Sequence, residues 1–231
     1  MQRLIYGRRE GHRLRPGRQR LLDKLLPKLQ VHLPEGGPLD PASLFAQRPR
    51  RIWLEIGFGG GEHLASQAAA HPEVGLIGCE PFIGGVARLL SSIEAQALAN
   101  IRLFTDDARL LMQALPDACL ERLFVLFPDP WPKTRHHKRR IVNPVTAAEF
   151  ARLLRPGGEV RLSTDEMGYA RAMLLALRPR RELQWLAMRP ADWRERAADW
   201  PMTRYESKAA AAGRACVYLR FLRTDRSPER P

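Results

Sequence analysis

Cysteine is scarce and badly placed for cross-linking. Cys79, Cys119 and Cys216 lie far apart and form no C-x-x-C pair. An odd, scattered set argues against a disulfide framework and against zinc. The six histidines include no H-x-x-x-H spacing, and His136 and His137 are adjacent, so no metal is expected. No apolar run approaches the ~20 residues that a spanning helix needs. The opening MQRLIYGRREGHRLRPGRQR is Arg-rich. It lacks the serines and clean amphipathic face of a transit peptide and the apolar core of a secretory signal. A cytoplasmic chain with no membrane partner is the expectation. Negative charge is also short: 38 Lys and Arg face 25 Asp and Glu, a formal charge of +13. That balance points to a polyanion such as nucleic acid, or to a membrane surface, although an Arg-rich proteome leaves the same mark.

The chain does have enough apolar content for a core, 45% of 231 residues. Its length suits one large domain, or one domain with an appended segment. Residues 1–20 read as a basic, poorly packed arm, and LLDKLLPKL (21–29) as a short amphipathic helix. PEGGPLDPASL (34–44) reads as a linker. From Arg51 strands and helices alternate. RIWLEIGFG, GLIGCEP, IRLFTDDA, LERLFVLF and EVRLSTD are five strands. Helices are expected over 61–70, 83–98, 108–114, 144–154 and 166–177, the 144–154 helix closed by the Pro-Gly-Gly of RPGG. The three- and four-residue spacing of Val86, Leu89, Leu90 and Ile93 marks the second of them. A less regular stretch then holds Trp185, Trp193 and Trp200. ACVYLRFLR (215–223) follows as a last, antiparallel strand, and TDRSPERP as a polar tail. The expectation is an α/β, Rossmann-like fold with a mostly parallel central sheet and helices on both faces. Its three parts would be 1–45, 46–223 and 224–231.

LEIGFGGGEHL (54–64) sits where a strand meets a helix, so its glycines let backbone approach a ligand, with Gly57 and Gly59 foremost. A dinucleotide fingerprint starting at Gly57 would need Gly or Ala where Glu62 stands, which weakens a hydride-transfer reading. Glu80 closes the second strand, where an acid grips ribose hydroxyls in NAD and S-adenosylmethionine sites alike. Glu55 precedes the first glycine. A buried carboxylate needs a partner, and S-adenosylmethionine, unlike NAD, brings an ammonium. Asp106 and Asp107 suit an adenine edge or a helix N-cap, and two residues allow both.

FPDPWPKTRHHKRR (127–140) places an acid between prolines at the end of the fourth strand, then a cluster of bases. Pro128, Pro130 and Pro132 fix backbone and remove donors, which holds Asp129 in place. Trp131 offers a face on which a base stacks, or plugs the core. Guanine nitrogen 7 carries a lone pair and no proton, so methylating it needs in-line placement rather than deprotonation, and it leaves positive charge on the base. A fixed carboxylate favours that charge, giving Asp129 an orienting and electrostatic role. Lys133, Arg135, Lys138, Arg139 and Arg140 would hold phosphates, unless the run is merely solvated.

At these residues the sequence resembles the bacterial tRNA (guanine-N(7)-)-methyltransferase family. The matching pieces are LEIGFGGGEHL, GCEP, TDDA, FPDPWPKTRHHKRR, EFARLLRPGG, LSTD and TRYESK. The resemblance implies a class I methyltransferase domain that moves a methyl group from S-adenosylmethionine to guanosine 46 in the variable loop of tRNA. It places Glu55, Glu80, Asp107 and Asp129 on the cofactor, with Asp129 also catalytic. Lys133, Asp165 and Thr203, Arg204, Tyr205 and Glu206 would meet the substrate, and residues 135–140 would hold RNA. The residues alone read Asp165 as a helix cap and Arg204 to Glu206 as a surface ion pair. A monomer is expected, with a homodimer left open. The rivals are a methyltransferase of another RNA base or of protein, a non-catalytic RNA-binding subunit, and an NAD-dependent oxidoreductase.

Overall fold

In a computed structural model of the chain, which describes residues 5–7, 9–11 and 13–225, the first helix begins at a proline. Helix α1 (Pro16–Lys24) starts five residues before the expected helix, because proline at its first turn has no N–H to leave unsatisfied. Pro16 and Gly17 therefore open a helix rather than break an arm. A short α2 (Leu26–Leu29) follows. Residues 1–4, 8 and 12 of the expected arm, and 226–231 of the expected tail, lie outside the described residues.

The chain divides into two compact units, Met1–Pro116 and Asp117–Pro231. In the first, the apolar run after Arg51 forms β1 (Ile52–Ile56), buried throughout. After it come α3 (Glu62–Ala70), β2 (Gly75–Cys79), α4 (Ile83–Gln96), β3 (Ile101–Phe104) and α5 (Ala108–Ala114). The strands run in the order β3-β2-β1, all parallel, with Ile52 opposite Gly75 and Leu76 opposite Ile101. Burial on both faces explains their unbroken apolar runs. Helix α1 packs on α4. The chain after α2 then covers the outer edge of β3, where Val31 N–H donates to the Leu103 carbonyl at 2.8 Å. Covering an edge this way blocks unwanted strand pairing.

The second unit contains β4 (Leu120–Leu126), a 3-10 turn over Thr134–Arg139, α6 (Pro144–Leu153), β5 (Leu154–Thr164), α7 (Met167–Leu177), β6 (Leu183–Trp185), α8 (Ala191–Arg194), α9 (Arg204–Ala211) and β7 (Val217–Arg223). Its strand order is β4-β5-β7-β6, with β4 and β5 parallel and β7 antiparallel to both neighbours. The antiparallel last strand is as expected, whereas β6, α8 and α9 occupy the stretch read as irregular. RPGG does not close α6. It lies inside β5, where the pairing slips between Leu120 opposite Leu154 and Arg122 opposite Glu159, a bulge that absorbs the extra residues. Beyond the bulge β5 alternates. Val160 and Leu162 are fully buried, while Glu159, Arg161 and Ser163 point to the opposite face.

Candidate active site

The carboxyl ends of β1, β2 and β3 carry buried acids, and each has a defined partner. Glu80 follows β2, and both its oxygens accept backbone hydrogens: Oε2 from Gly59 N at 2.8 Å and Oε1 from Phe82 N at 2.9 Å. The acid therefore fixes the glycine loop and the start of α4 together. Gly59 takes a left-handed backbone, φ 57°, and its carbonyl approaches Gly85 so closely that a Cβ there would lie 2.1 Å from the oxygen. Glycine is required at position 85 for that contact.

Glu55, the fourth residue of β1, is buried against His63 in the first turn of α3, with Oε2 2.7 Å from Nδ1. Sequence reasoning reserved Glu55 for an ammonium and missed His63 entirely. A trace was there: His63 sits beside Leu64, Gln67 and Ala68 on the inward face of α3. Asp107 caps α5. Its Oδ1 accepts from Arg109 N at 3.0 Å and from the Arg109 guanidinium at 3.1 Å. Asp106 accepts from Asp107 N at 2.7 Å. The cap is the second acid of the pair, and the first braces it. Burial, and then the charges of Glu80 and Asp107, push the Cys79 thiol far above its ordinary range. Three buried acids, Glu55, Glu80 and Asp107, lie at this end of the first unit, and such a set suits a cationic ligand.

In the second unit, β4 runs into the proline-boxed loop. Phe127 and Trp131 both have left-handed backbones, φ 49° and 43°, a strained state for aromatic residues. They flank Asp129 and turn it outward. Asp129 is exposed to solvent, and partial desolvation of its carboxyl by the surrounding loop raises its pKa above the ordinary carboxylate value. The bases that follow divide into two sets. Lys133, Arg135 and Lys138 are exposed. Arg140 is buried: its Nε donates to the Pro130 carbonyl at 2.8 Å and its guanidinium lies 4.6 Å from the Tyr169 ring centre. It clamps the loop that carries Asp129. Trp131 does not plug the core. It is half-buried, under the Arg139 guanidinium at 4.8 Å and edge-on to His136 at 5.9 Å.

The remaining substrate candidates also belong to the second unit. Asp165 pairs with Arg214 Nε at 2.7 Å, and the cap of α7 is its neighbour Glu166, which accepts from Gly168 N. Thr203 caps α9, accepting from Glu206 N at 3.2 Å. Arg204 and Tyr205 are exposed, while Glu206 is buried. Its partners are Arg196 Nε at 2.9 Å and the Tyr218 hydroxyl at 2.7 Å, neither of them singled out from the sequence.

Comparison with known proteins agrees with this chemistry. The model of a family described as "Putative methyltransferase" matches residues 49–219. A tRNA (guanine-N(7)-)-methyltransferase of Rhodospirillum rubrum is 55% identical over 97% of this chain and 89% of its own length. One of Nitrobacter hamburgensis is 48% identical over 95% and 86%, and one of a Chelativorans species 46% over 95% and 94%. Among solved structures, an rRNA methylase from Streptococcus thermophilus aligns with a TM-score of 0.52 at 9% identity, over 80% of this chain and 92% of that one. A second, described as an antibiotic related methyltransferase, aligns at 0.51 and 16%, over 78% and 89%. At such identities the likeness is of fold alone, an α/β, Rossmann-like arrangement around a mostly parallel sheet.

Proposed function

The chain belongs to the tRNA (guanine-N(7)-)-methyltransferase family, and from that premise we propose that it methylates ring nitrogen 7 of guanosine 46 in the tRNA variable loop, using S-adenosylmethionine. The observation that carries the reading is the set of buried acids, Glu55, Glu80 and Asp107, at the ends of three successive strands. Carboxylates in that place suit a cofactor with a sulfonium and an ammonium. S-adenosylmethionine supplies an electrophilic methyl group. Glu80 would hold ribose hydroxyls while keeping Gly59 in place, Glu55 with His63 would meet the ammonium end, and Asp107 would face the adenine.

Asp129 is the orienting residue. Nitrogen 7 needs no base to activate it, so the residue's work is to hold the guanine in line and to offset the positive charge formed on it. The left-handed residues on either side, Phe127 and Trp131, and the Arg140 clamp hold the backbone that carries Asp129 before substrate arrives. Lys133, Asp165 and Thr203 to Glu206 are the proposed substrate contacts. Lys133, Arg135 and Lys138 are free to reach phosphates, and Arg139 joins them from its seat on Trp131. Among the described residues no cluster suits a metal ion and no helix is long and apolar enough to cross a membrane. A cytoplasmic setting and a monomeric chain complete the proposal.

Incubation with unmodified tRNA and methyl-labelled donor tests the reading, with label expected in 7-methylguanosine. The phosphate assignments have their own test. Each lysine or arginine neutralising a phosphate steepens the log–log salt dependence of binding by ~0.7–0.9. Replacing Lys133, Arg135 and Lys138 together with alanine should therefore lower the measured slope by about 2–3. An unchanged slope would take these side chains off the phosphates.

A further inference from the structure

One face of the second unit's sheet is polar where a sheet face is ordinarily apolar. Arg161, on β5, is 2% exposed. A buried cation is costly unless paired and fully hydrogen-bonded. Its Nε donates to Glu159 Oε2 at 3.0 Å, and its Nη1 and Nη2 donate to the two oxygens of Asp199, each at 2.9 Å. This is the two-pronged arginine–carboxylate geometry, strong and directional. Arg122 adds a contact to Asp199 at 3.3 Å, and Arg220 pairs with Glu159. Asp199 is not on the sheet. It lies in the irregular segment between α8 and α9, and the pairing fastens that segment to the strands.

The fastening continues toward α9. Trp200, next to Asp199, is completely buried, 5.8 Å from the Arg161 guanidinium and edge-on to Tyr218 at 5.5 Å. Arg196 donates to the Trp200 carbonyl and to Glu206 Oε1. The Tyr218 hydroxyl donates to that same Oε1 at 2.7 Å, and burial followed by the Glu206 bond pushes its pKa up, so it remains a donor. Glu206 Oε2 is buried and has no hydrogen-bond partner among the described residues. Two donors hold one oxygen of Glu206 and the other is shielded from solvent, so the carboxylate ties the start of α9 to Arg196 and Tyr218.

We propose that the Arg161–Asp199 pair is a latch that sets the Thr203–Glu206 segment in place for tRNA, which makes Arg161, Asp199 and Tyr218 positioning residues. The proposal rests on the tRNA reading above. The latch sits on the face opposite Val160 and Leu162, packed against the buried Phe124 and Trp200.

The test is steady-state methylation of tRNA by wild-type protein, Asp199→Asn, Asp199→Glu and Tyr218→Phe, with cofactor affinity measured alongside. Asparagine keeps the side chain's shape and removes its charge. Asp199→Asn should raise KM for tRNA by about 10-fold or more, with kcat within about twofold and cofactor Kd unchanged. Asp199→Glu, which keeps the charge, should recover part of the loss. Simple destabilisation would instead lower apparent kcat at unchanged KM. Should Asp199→Asn fail to fold, Tyr218→Phe, which removes one hydroxyl, carries the same KM prediction. A fall in kcat at constant KM, or no change in either constant, overturns the latch. Absence of transfer to guanine nitrogen 7 by the wild-type protein would instead sink the reading beneath it.

Discussion

Asp129→Asn should lower kcat about 100- to 1,000-fold, the loss expected when one preorganised charge-stabilising group is removed, while tRNA affinity stays within about twofold. The asymmetry follows from where the charge forms. Guanine is neutral in the ground state and cationic after transfer, so a carboxylate gains most as the methyl moves. The proposed phosphate contacts of Lys133, Arg135 and Lys138 do not depend on it. The pH profile should agree. Partial desolvation raises the Asp129 pKa, and the ionised form is the useful one. The acid limb of kcat/KM should therefore lie above the ordinary carboxylate range and vanish in Asp129→Asn. Linkage gives a control. A folded-state pKa raised above the unfolded value means that the native state holds the proton more tightly. This group's contribution thus falls as pH rises between the two values. Asp129→Asn should be no less stable than wild type at neutral pH, so its lost turnover cannot come from unfolding. Loss of tRNA binding together with turnover would refute the orienting role.

Glu80→Ala should raise the Kd for S-adenosylmethionine about 100-fold or more. The Glu80 carboxylate accepts from Gly59 N and Phe82 N, and a hydrogen bond to a charged group contributes roughly 1.5–3 kcal/mol. Removing it releases the Gly59 peptide and strands two backbone donors even before any contact to ribose is lost. Calorimetric titration measures the change directly. NAD titrated into wild-type protein should give no binding heat. A Glu80→Ala protein that binds within a few-fold of wild type would show that neither Glu80 nor the loop it fastens holds the ligand.

The alternation of strands and helices was legible because burial on both faces leaves continuous apolar runs, such as LFVLF in β4. The acids were legible by position, since Glu55 lies one residue before the end of β1, Glu80 directly after β2 and Asp107 directly before α5. Their partners were not. His63 meets Glu55 because α3 packs back on the sheet, against β2, and nothing in the spacing of 55 and 63 announces a contact. Arg140 reads as one more member of a solvated basic run, and only the loop's geometry turns it inward onto Pro130 and Tyr169. The segment carrying α8 and α9 was missed for a related reason. It is held by Arg161–Asp199 and Arg196–Glu206 rather than by an apolar stripe, so it has no period to detect. In RPGG, residues that ordinarily end elements were absorbed as a bulge inside β5.

The central claim is that a guanine is placed so that only its nitrogen 7 meets the methyl group. Reductive cleavage of tRNA after reaction, which breaks the chain at 7-methylguanosine, locates the product on the strand. A single cleavage at guanosine 46 in the variable loop is expected, present with wild-type protein and nearly absent with Asp129→Asn. Methyl incorporation without cleavage there, or cleavage spread over many guanosines, would contradict it.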